Sequence, residues 1–322
     1  GILADDMGLG KTVQALSMLH HYKEVNGSLL ALVVCPTTLI YNWRNEVQKF
    51  APSLSFHIHH GSVRSRKVEE LEKHNIVITT YGTLRSDIQV LLKMNFDYVI
   101  LDESQAIKNP ASKVTRAASL LNSKNRLCMS GTPLQNNTFD IFAQMNFLNP
   151  GLLGNMEFFR NEFATPIDKF GEQEQKEHLR KLLFPFILRR TKEQVAKDLP
   201  EKTETILFCE MEKEQRKVYE AYRNSFREKI LGTIDQQGIG RSQLTILQGL
   251  MKLRQICDSP AILNEEEKYP NHSIKLDELA REIEENIGDH KALIFSQFLG
   301  MLALIKKKLI KDNIPFEYFD GS

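Results

Sequence analysis

Glycine at positions 8 and 10, followed by Lys11 and Thr12, is a set of residue types that can hold a phosphate. The glycines allow backbone conformations that a side chain forbids, so N–H groups of the stretch Asp6, Gly8, Leu9 and Gly10 can converge at the start of a helix. Lys11 supplies a point charge for the β- and γ-phosphates of a nucleotide such as ATP, and the Thr12 hydroxyl stands where Mg²⁺ takes a ligand. The pattern GxxxxGK[ST] is not fully met, because Asp5 holds its first glycine position. An ordinary helix start is the competing reading. A second polar set, Asp102 and Glu103, closes an apolar run at 96–101. Beside a phosphate loop, Asp102 would serve the metal shell and Glu103 would orient and deprotonate the attacking water; a solvated loop is the alternative. Ser130 and Thr132 end another apolar run, where their hydroxyls could sense the γ-phosphate or simply form a turn.

The elements that must position these groups are short. Apolar runs at 29–35, 75–80, 96–101 and 126–130 alternate with helical or polar stretches, as in a parallel sheet buried on both faces. The helical period of Val13, Leu16 and Leu19 supplies the helix that a phosphate loop requires. Polar residues follow each run, so ligands are expected on one rim at the C-terminal ends of the strands. On that rim, Thr37, Thr38, Thr79, Thr80 and Tyr81 suit the phosphates of a nucleic-acid backbone, or else cap helices. Helices and polar loops from about 139 to 187 read as a helical insertion. Beyond it, 203–209 reads as a strand, and helices follow near 212–231 and 241–257 with a turn at 232–240. A new α/β pattern then begins, with a helix near 275–287, strands at 292–296 and 316–319, and a helix between them.

Length and charge set limits. The 322 residues suffice for about two domains, and Lys+Arg (42) nearly balance Asp+Glu (41), so any nucleic-acid surface is a local patch. The four cysteines form no CxxC pair, which argues against a disulfide framework or a zinc site. His57, His59 and His60 lack a third ligand at recognisable spacing, Arg64, Arg66 and Lys67 read as a solvated helix start, and Trp43 reads as packing. Arg189 and Arg190 read as a latch between lobes, a phosphate clamp or a salt-bridged surface. No apolar run approaches the ~20 residues that span a bilayer. The expected location is the cytoplasm, on the nucleoid, or the nucleus, with no membrane partner.

Together these motifs resemble the SWI/SNF-like DNA-dependent ATPases of helicase superfamily two. Asp5-Asp-Met-Gly-Leu-Gly-Lys-Thr12 is similar to motif I, Cys35-Pro-Thr-Thr-Leu-Ile-Tyr-Asn-Trp43 to motif Ia, Thr79-Thr-Tyr81 to the next block, Asp102-Glu-Ser-Gln105 to motif II, and Ser130-Gly-Thr-Pro-Leu-Gln-Asn136 to motif III. Phe147-Leu-Asn-Pro-Gly151, Leu188-Arg-Arg-Thr-Lys192, Leu253-Arg-Gln-Ile-Cys257 and Lys291-Ala-Leu-Ile-Phe-Ser-Gln-Phe298 are similar to later blocks, the last adding Ser296 to the nucleic-acid contacts. The resemblance implies an α/β fold of two RecA-like parallel-sheet lobes, residues 1–200 and 201–322, the second truncated. It implies ATP and Mg²⁺ as cofactors, with Lys11 on phosphate, Thr12 and Asp102 on the metal, Glu103 as general base, and Gln105 with Ser130 and Thr132 coupling pocket to track. The partners it implies are double-stranded DNA, bound without regard to sequence, and the proteins on that DNA. A strand-separating DNA or RNA helicase and a non-catalytic nucleotide-binding scaffold are the rivals. The adenine-reading segment before the phosphate loop and the arginines that follow in the second lobe are not found, so this stretch alone is expected to turn over little ATP.

Overall fold

The computed structural model describes all residues except 132–137, 201, 238, 264–268, 289 and 321–322, and the side chains of 233–243. The chain divides into two compact units, Gly1–Pro200 and Glu201–Ser322.

The first unit is built on seven parallel strands: β1 (Ile2–Leu3), β2 (Ala31–Cys35), β3 (Phe56–His59), β4 (Ile76–Thr80), β5 (Phe96–Asp102), β6 (Ser123–Met129) and β7 (Ile187–Leu188). Their order across the sheet is β3-β4-β2-β5-β6-β1-β7. Every residue of β2 and β4 is buried, because helices cover both faces and leave no solvated side on which polar residues could alternate. One face carries Leu32, Val34, Val99 and Leu101 into a core with Phe147 and Phe159; the other carries Val33, Ile78 and Ile100 against Leu16, Leu19 and Trp43. The helices facing the second core are α1 (Lys11–Asn26) and α2 (Ile40–Phe50).

Register decides what the sheet can do. Leu3 lies level with Met129 and with Leu188, Asp102 with Met129, Val34 with Leu101, and Cys35 with Thr80. The residues that follow these positions therefore emerge along one rim. Its middle, in the order β5-β6-β1-β7, brings Asp102, Ser130, the phosphate loop and Arg190 side by side.

The expected strands at 29–35, 75–80, 96–101 and 126–130 are all present, and the last begins earlier, at Ser123. The placement of His57 and His59 on one strand holds in β3, an edge strand whose Phe56, His57 and Ile58 are only partly buried; the two-residue β7 is too short to show a period and escaped the sequence reading.

The second unit corrects the reading more sharply. None of 203–209, 292–296 or 316–319 forms a strand among the described residues. A strand is stable through its ladder, and these segments have none: Phe208 is 91% exposed, Phe295 87% and Phe319 82%. Within the expected turn at 232–240, one helix runs to Gln237 and the next starts at Ile239. Close approach of that pair is marked by Gly249, where an added methyl would come within 3.0 Å of the Phe226 ring. Gln215 bonds the carbonyl of Ile256 at 2.8 Å, and a smaller core gathers Leu276, Met301, Ile305 and Leu309. No helix among the described residues is long and apolar enough to cross a membrane.

Candidate nucleotide site

The phosphate loop leaves β1 and enters α1 through two left-handed residues, Gly8 at φ 86° and Gly10 at φ 78°. Gly10 caps α1 with no side-chain hydrogen bond, so the first amides of the helix point out of the loop unspent. Lys11 Nζ donates to the carbonyls of Asp5 at 2.7 Å and Asp6 at 3.2 Å. A methyl added at Gly131 would lie 3.8 Å from that ammonium and 3.1 Å from Met7 Cγ, so the chain after β6 closes over the loop from the other side. Thr12 is half-buried in the first turn of α1, and Asp6 and Leu9 are half-buried in the loop.

The residue that replaces the usual first glycine, Asp5, proves to be an anchor. It is fully buried, and its carboxylate accepts from the Arg190 main-chain N–H at 2.9 Å and from Arg190 Nε at 3.1 Å, while Arg190 Nη2 grips the second oxygen. Gln14 of α1 joins in, donating to Asp5 at 3.3 Å and to the Leu9 carbonyl at 3.1 Å, and accepting from Arg190 Nη2 at 2.8 Å. The Arg190 hydrogen bond holds the Asp5 carboxyl below the usual carboxylate range, against the opposing effect of burial. Of the three readings open for Arg190 in the sequence, the geometry takes the salt bridge, and makes it an internal one. The signal available beforehand was the forbidden position of Asp5: a carboxylate buried there requires a cationic partner.

Asp102 ends β5 beside the loop. Its Oδ2 accepts from Trp43 Nε1 at 2.8 Å and its Oδ1 from the Glu103 main-chain N–H at 3.0 Å. Burial pushes its pKa up, the Trp43 hydrogen bond opposes that, and the neighbouring charge of Glu103 adds to it. It joins no ion pair among the described residues. A buried carboxylate with spare lone pairs and no cation fits a divalent ion, and the Thr12 hydroxyl in the adjoining loop fits as its companion ligand. Trp43, read from the sequence as packing, packs fully buried and also orients Asp102.

Glu103 sits at φ 49°, in the left-handed region that costs a non-glycine residue about 1–2 kcal/mol. The turn separates the two carboxylates: Asp102 stays in the sheet while Glu103, half-buried, faces the rim. Gln105 Nε2 donates to Glu103 Oε2 at 2.8 Å, and Ser130 Oγ donates to Gln105 Oε1 at 3.1 Å. A continuous path thus links the end of β6 to Glu103. Below it, Ser104 Oγ reaches the buried Gln144 at 3.0 Å and ties this turn to helix Thr138–Leu148. Thr132, the other expected sensor, lies outside the described residues.

The expected nucleic-acid contacts separate into two groups. Thr37 and Thr38 are exposed on a short turn after β2. Thr79, Thr80 and Tyr81 are buried, with hydroxyls spent inside the protein: Thr79 donates to the His59 carbonyl at 2.8 Å, Thr80 caps the helix Tyr81–Ser86 by accepting from the Thr83 N–H at 3.1 Å, and Tyr81 donates to the Asp102 carbonyl at 2.7 Å. The capping reading therefore describes Thr80, and Tyr81 supports motif II from behind, correcting the expectation of direct phosphate contact by these three. Ser296, in the second unit, accepts from the Phe298 N–H at 3.3 Å. Arg64 is corrected as well. Its guanidinium binds the buried Asp87, with Nη2 at 2.9 Å from Oδ1, and His59 Nε2 meets the same carboxylate at 3.0 Å. All four cysteines are free; burial drives the Cys35 and Cys128 thiols up to about 12, which leaves them unreactive.

Comparison with known proteins identifies the family. Residues 1–262 match the family model of the SNF2-related domain, and the chain belongs to that family. It is 35% identical to an uncharacterized ATP-dependent helicase of Mycoplasma genitalium, covering 100% of this chain and 30% of the relative. It is 34% identical to the putative ATP-dependent helicase/translocase YwqA of Bacillus subtilis, covering 99% of this chain and 36% of the relative. The chain thus spans about a third of the length of these relatives. Among solved structures, the Sulfolobus solfataricus SWI2/SNF2 ATPase core in complex with dsDNA aligns with a TM-score of 0.60 and 39% identity, covering 97% of this chain and 65% of that one. The expected fold class and family resemblance are both borne out.

Arg190→Ala is expected to lower Tm by several degrees at neutral pH, because it leaves the buried Asp5 charge with the residue-190 main-chain N–H and Gln14 as hydrogen-bond donors but without its cation. Asp5 has a depressed pKa in the folded chain, so its pairing stabilises above the ordinary value of 3.8 and that stability is lost as pH falls through the depressed one. The deficit of the variant should accordingly close on acidification in thermal melts at stepped pH. A deficit that stayed constant would show that Arg190 acts by packing alone.

Trp43 is the sole tryptophan of the chain and donates directly to Asp102. Its emission is therefore expected to shift when Mg²⁺–nucleotide binds and less when nucleotide binds with EDTA present. Equal spectra in both titrations would separate Asp102 from the metal.

Proposed function

We propose that this chain is the nucleotide-binding core of an ATP-driven motor that moves along double-stranded DNA and remodels or displaces the proteins bound there. The observation that carries it is the path from Ser130 through Gln105 to Glu103, laid across the rim beside the phosphate loop. A water-activating carboxylate wired to the end of a neighbouring strand gives hydrolysis a means of sensing and moving the protein. A passive nucleotide scaffold has no use for it. The double-stranded DNA bound by the archaeal SWI2/SNF2 core and the helicase/translocase description of the Bacillus relative support the choice of track and of movement.

In this reading Lys11 exchanges the Asp5 and Asp6 carbonyls for β- and γ-phosphate oxygens, and the unspent amides after Gly10 bind the same phosphates. Asp102 and Thr12 would hold Mg²⁺, which when bound would neutralise charge on the phosphates. Glu103 orients a water against the γ-phosphate and accepts its proton through the carboxylate oxygen left free by Gln105. Gln105 fixes the rotamer of Glu103, and a shift at Ser130 moves both. The exposed hydroxyls of Thr37 and Thr38 contact the DNA backbone, from which sequence-independent, salt-sensitive binding follows.

In the full-length protein, Glu103→Gln should still bind Mg²⁺–ATP and hydrolyse it about 10²–10⁴-fold more slowly, whereas Lys11→Ala should lose nucleotide affinity. Phosphate release and nucleotide titrations read the two effects separately. Full turnover by Glu103→Gln would remove Glu103 from its role.

The DNA assignment is tested at the exposed threonines. Thr37→Ala with Thr38→Ala should reduce stimulation of phosphate release by duplex DNA, leave nucleotide affinity unchanged, and weaken DNA binding in a way that depends on salt and not on sequence. Sequence-selective, salt-independent binding would contradict the reading.

A further inference from the structure

The segment after β7 does more than neutralise Asp5. It runs alongside the phosphate loop and is fastened to it at successive residues: Asp6 N–H donates to the Arg190 carbonyl at 3.0 Å, Arg190 N–H to Asp5 Oδ1 at 2.9 Å, and Lys192 N–H to Asp6 Oδ2 at 3.0 Å. Thr191 then caps a short helical turn in a reciprocal box with Gln194, which fixes the backbone from which the Lys192 side chain departs. That side chain lies over the loop. A methyl added at Gly8 would be 3.7 Å from Lys192 Cε and 3.8 Å from its Nζ. The ammonium takes part in no ion pair among the described residues.

Charge explains why a cation is useful there. Asp5 and Asp6 put two carboxylates in the phosphate loop, where negative charge left unpaired would repel a polyphosphate. Arg190 neutralises Asp5 by a direct ion pair. Among the described residues the Asp6 carboxylate accepts from the Lys192 main-chain N–H and from no side chain, and the Lys192 ammonium, like that of Lys11, lies beside the loop. Arg190 cannot serve both functions, because its Nε and Nη2 are already engaged by Asp5 and Gln14.

We propose that Lys192 is a second phosphate-binding lysine, which the strand pairing of β7 carries to the nucleotide loop, and that it contacts the polyphosphate over Gly8 from within the first unit. This rests on the reading of the loop as an ATP site and adds a residue to it. The backbone of Lys192 anchors Asp6 whatever side chain it bears, so truncation at this position removes the ammonium and leaves the anchor.

Fluorescent ATP and ADP analogues titrated into the chain, into Lys192→Ala and into Lys192→Arg test the idea. At about 0.1 M salt, Lys192→Ala should weaken both nucleotides about tenfold, Lys192→Arg should retain most of the affinity, and the unliganded Tm of each should match the wild type. At about 0.5 M salt the gap should narrow, because an ammonium this exposed is screened. Wild-type binding with unchanged affinity in Lys192→Ala overturns the assignment to Lys192 while the ATP site stands. A loss that persists undiminished in high salt overturns it too, since it would mark Lys192 as a packing residue. If the wild-type chain binds neither nucleotide, the reading of the loop itself has failed, and the assignment falls with it.

Discussion

A parallel sheet whose strands stop level with one another is the constraint on which the rest of this structure depends. Leu3, Met129, Leu188 and Asp102 lie at the same height because a parallel ladder fixes register residue by residue, and a slip by one position would send each following group to the opposite face. From that single edge emerge the phosphate loop, the carboxylate pair, the Ser130 hydroxyl and the Arg190 clamp. The residues of the site come from stretches more than 180 positions apart, and the parallel ladder brings their origins together.

On that edge, electrostatics does the positioning. Asp5 and Asp102 are both buried carboxylates, and they are treated oppositely. Asp5 is satisfied within the chain by Arg190 and Gln14, so its pKa is held down and its role is to tie β1, α1 and the segment after β7 into one block. Asp102 receives hydrogen bonds but no cation, so burial drives its pKa up and leaves it with a standing demand for positive charge. One is paired as folded, and the other keeps unpaired lone pairs that suit a cation. The strained turn at Glu103 belongs to the same design, since it directs adjacent carboxylates to different tasks.

Family membership accounts for this arrangement without dictating its details. The SNF2-related domain covers residues 1–262, and the archaeal SWI2/SNF2 core shares the fold over nearly the whole chain. Yet the fully buried tryptophan behind Asp102, the glutamine between Glu103 and Ser130, and the tyrosine beneath motif II are properties of contacts. Tyr81 and Thr79 stand next to strand ends in the chain, as residues that touch a ligand would, but the helix Tyr81–Ser86 folds back over them and turns their hydroxyls inward.

The amino-acid sequence by itself determined the class of fold and marked the residue types of the candidate nucleotide site. Continuous apolar runs have only one stable arrangement when helices alternate with them, and a glycine turn followed by lysine and threonine carries its geometry in a few consecutive residues. Tertiary structure decided whatever depends on a partner distant in the chain. It made Asp5 an anchor by bringing Arg190 to it, gave the packed Trp43 a second task as hydrogen-bond donor, and sorted the threonines of the rim into buried and exposed hydroxyls. It also left 292–296 and 316–319 unpaired, because propensity favours an extended segment while only a neighbouring ladder makes it a strand.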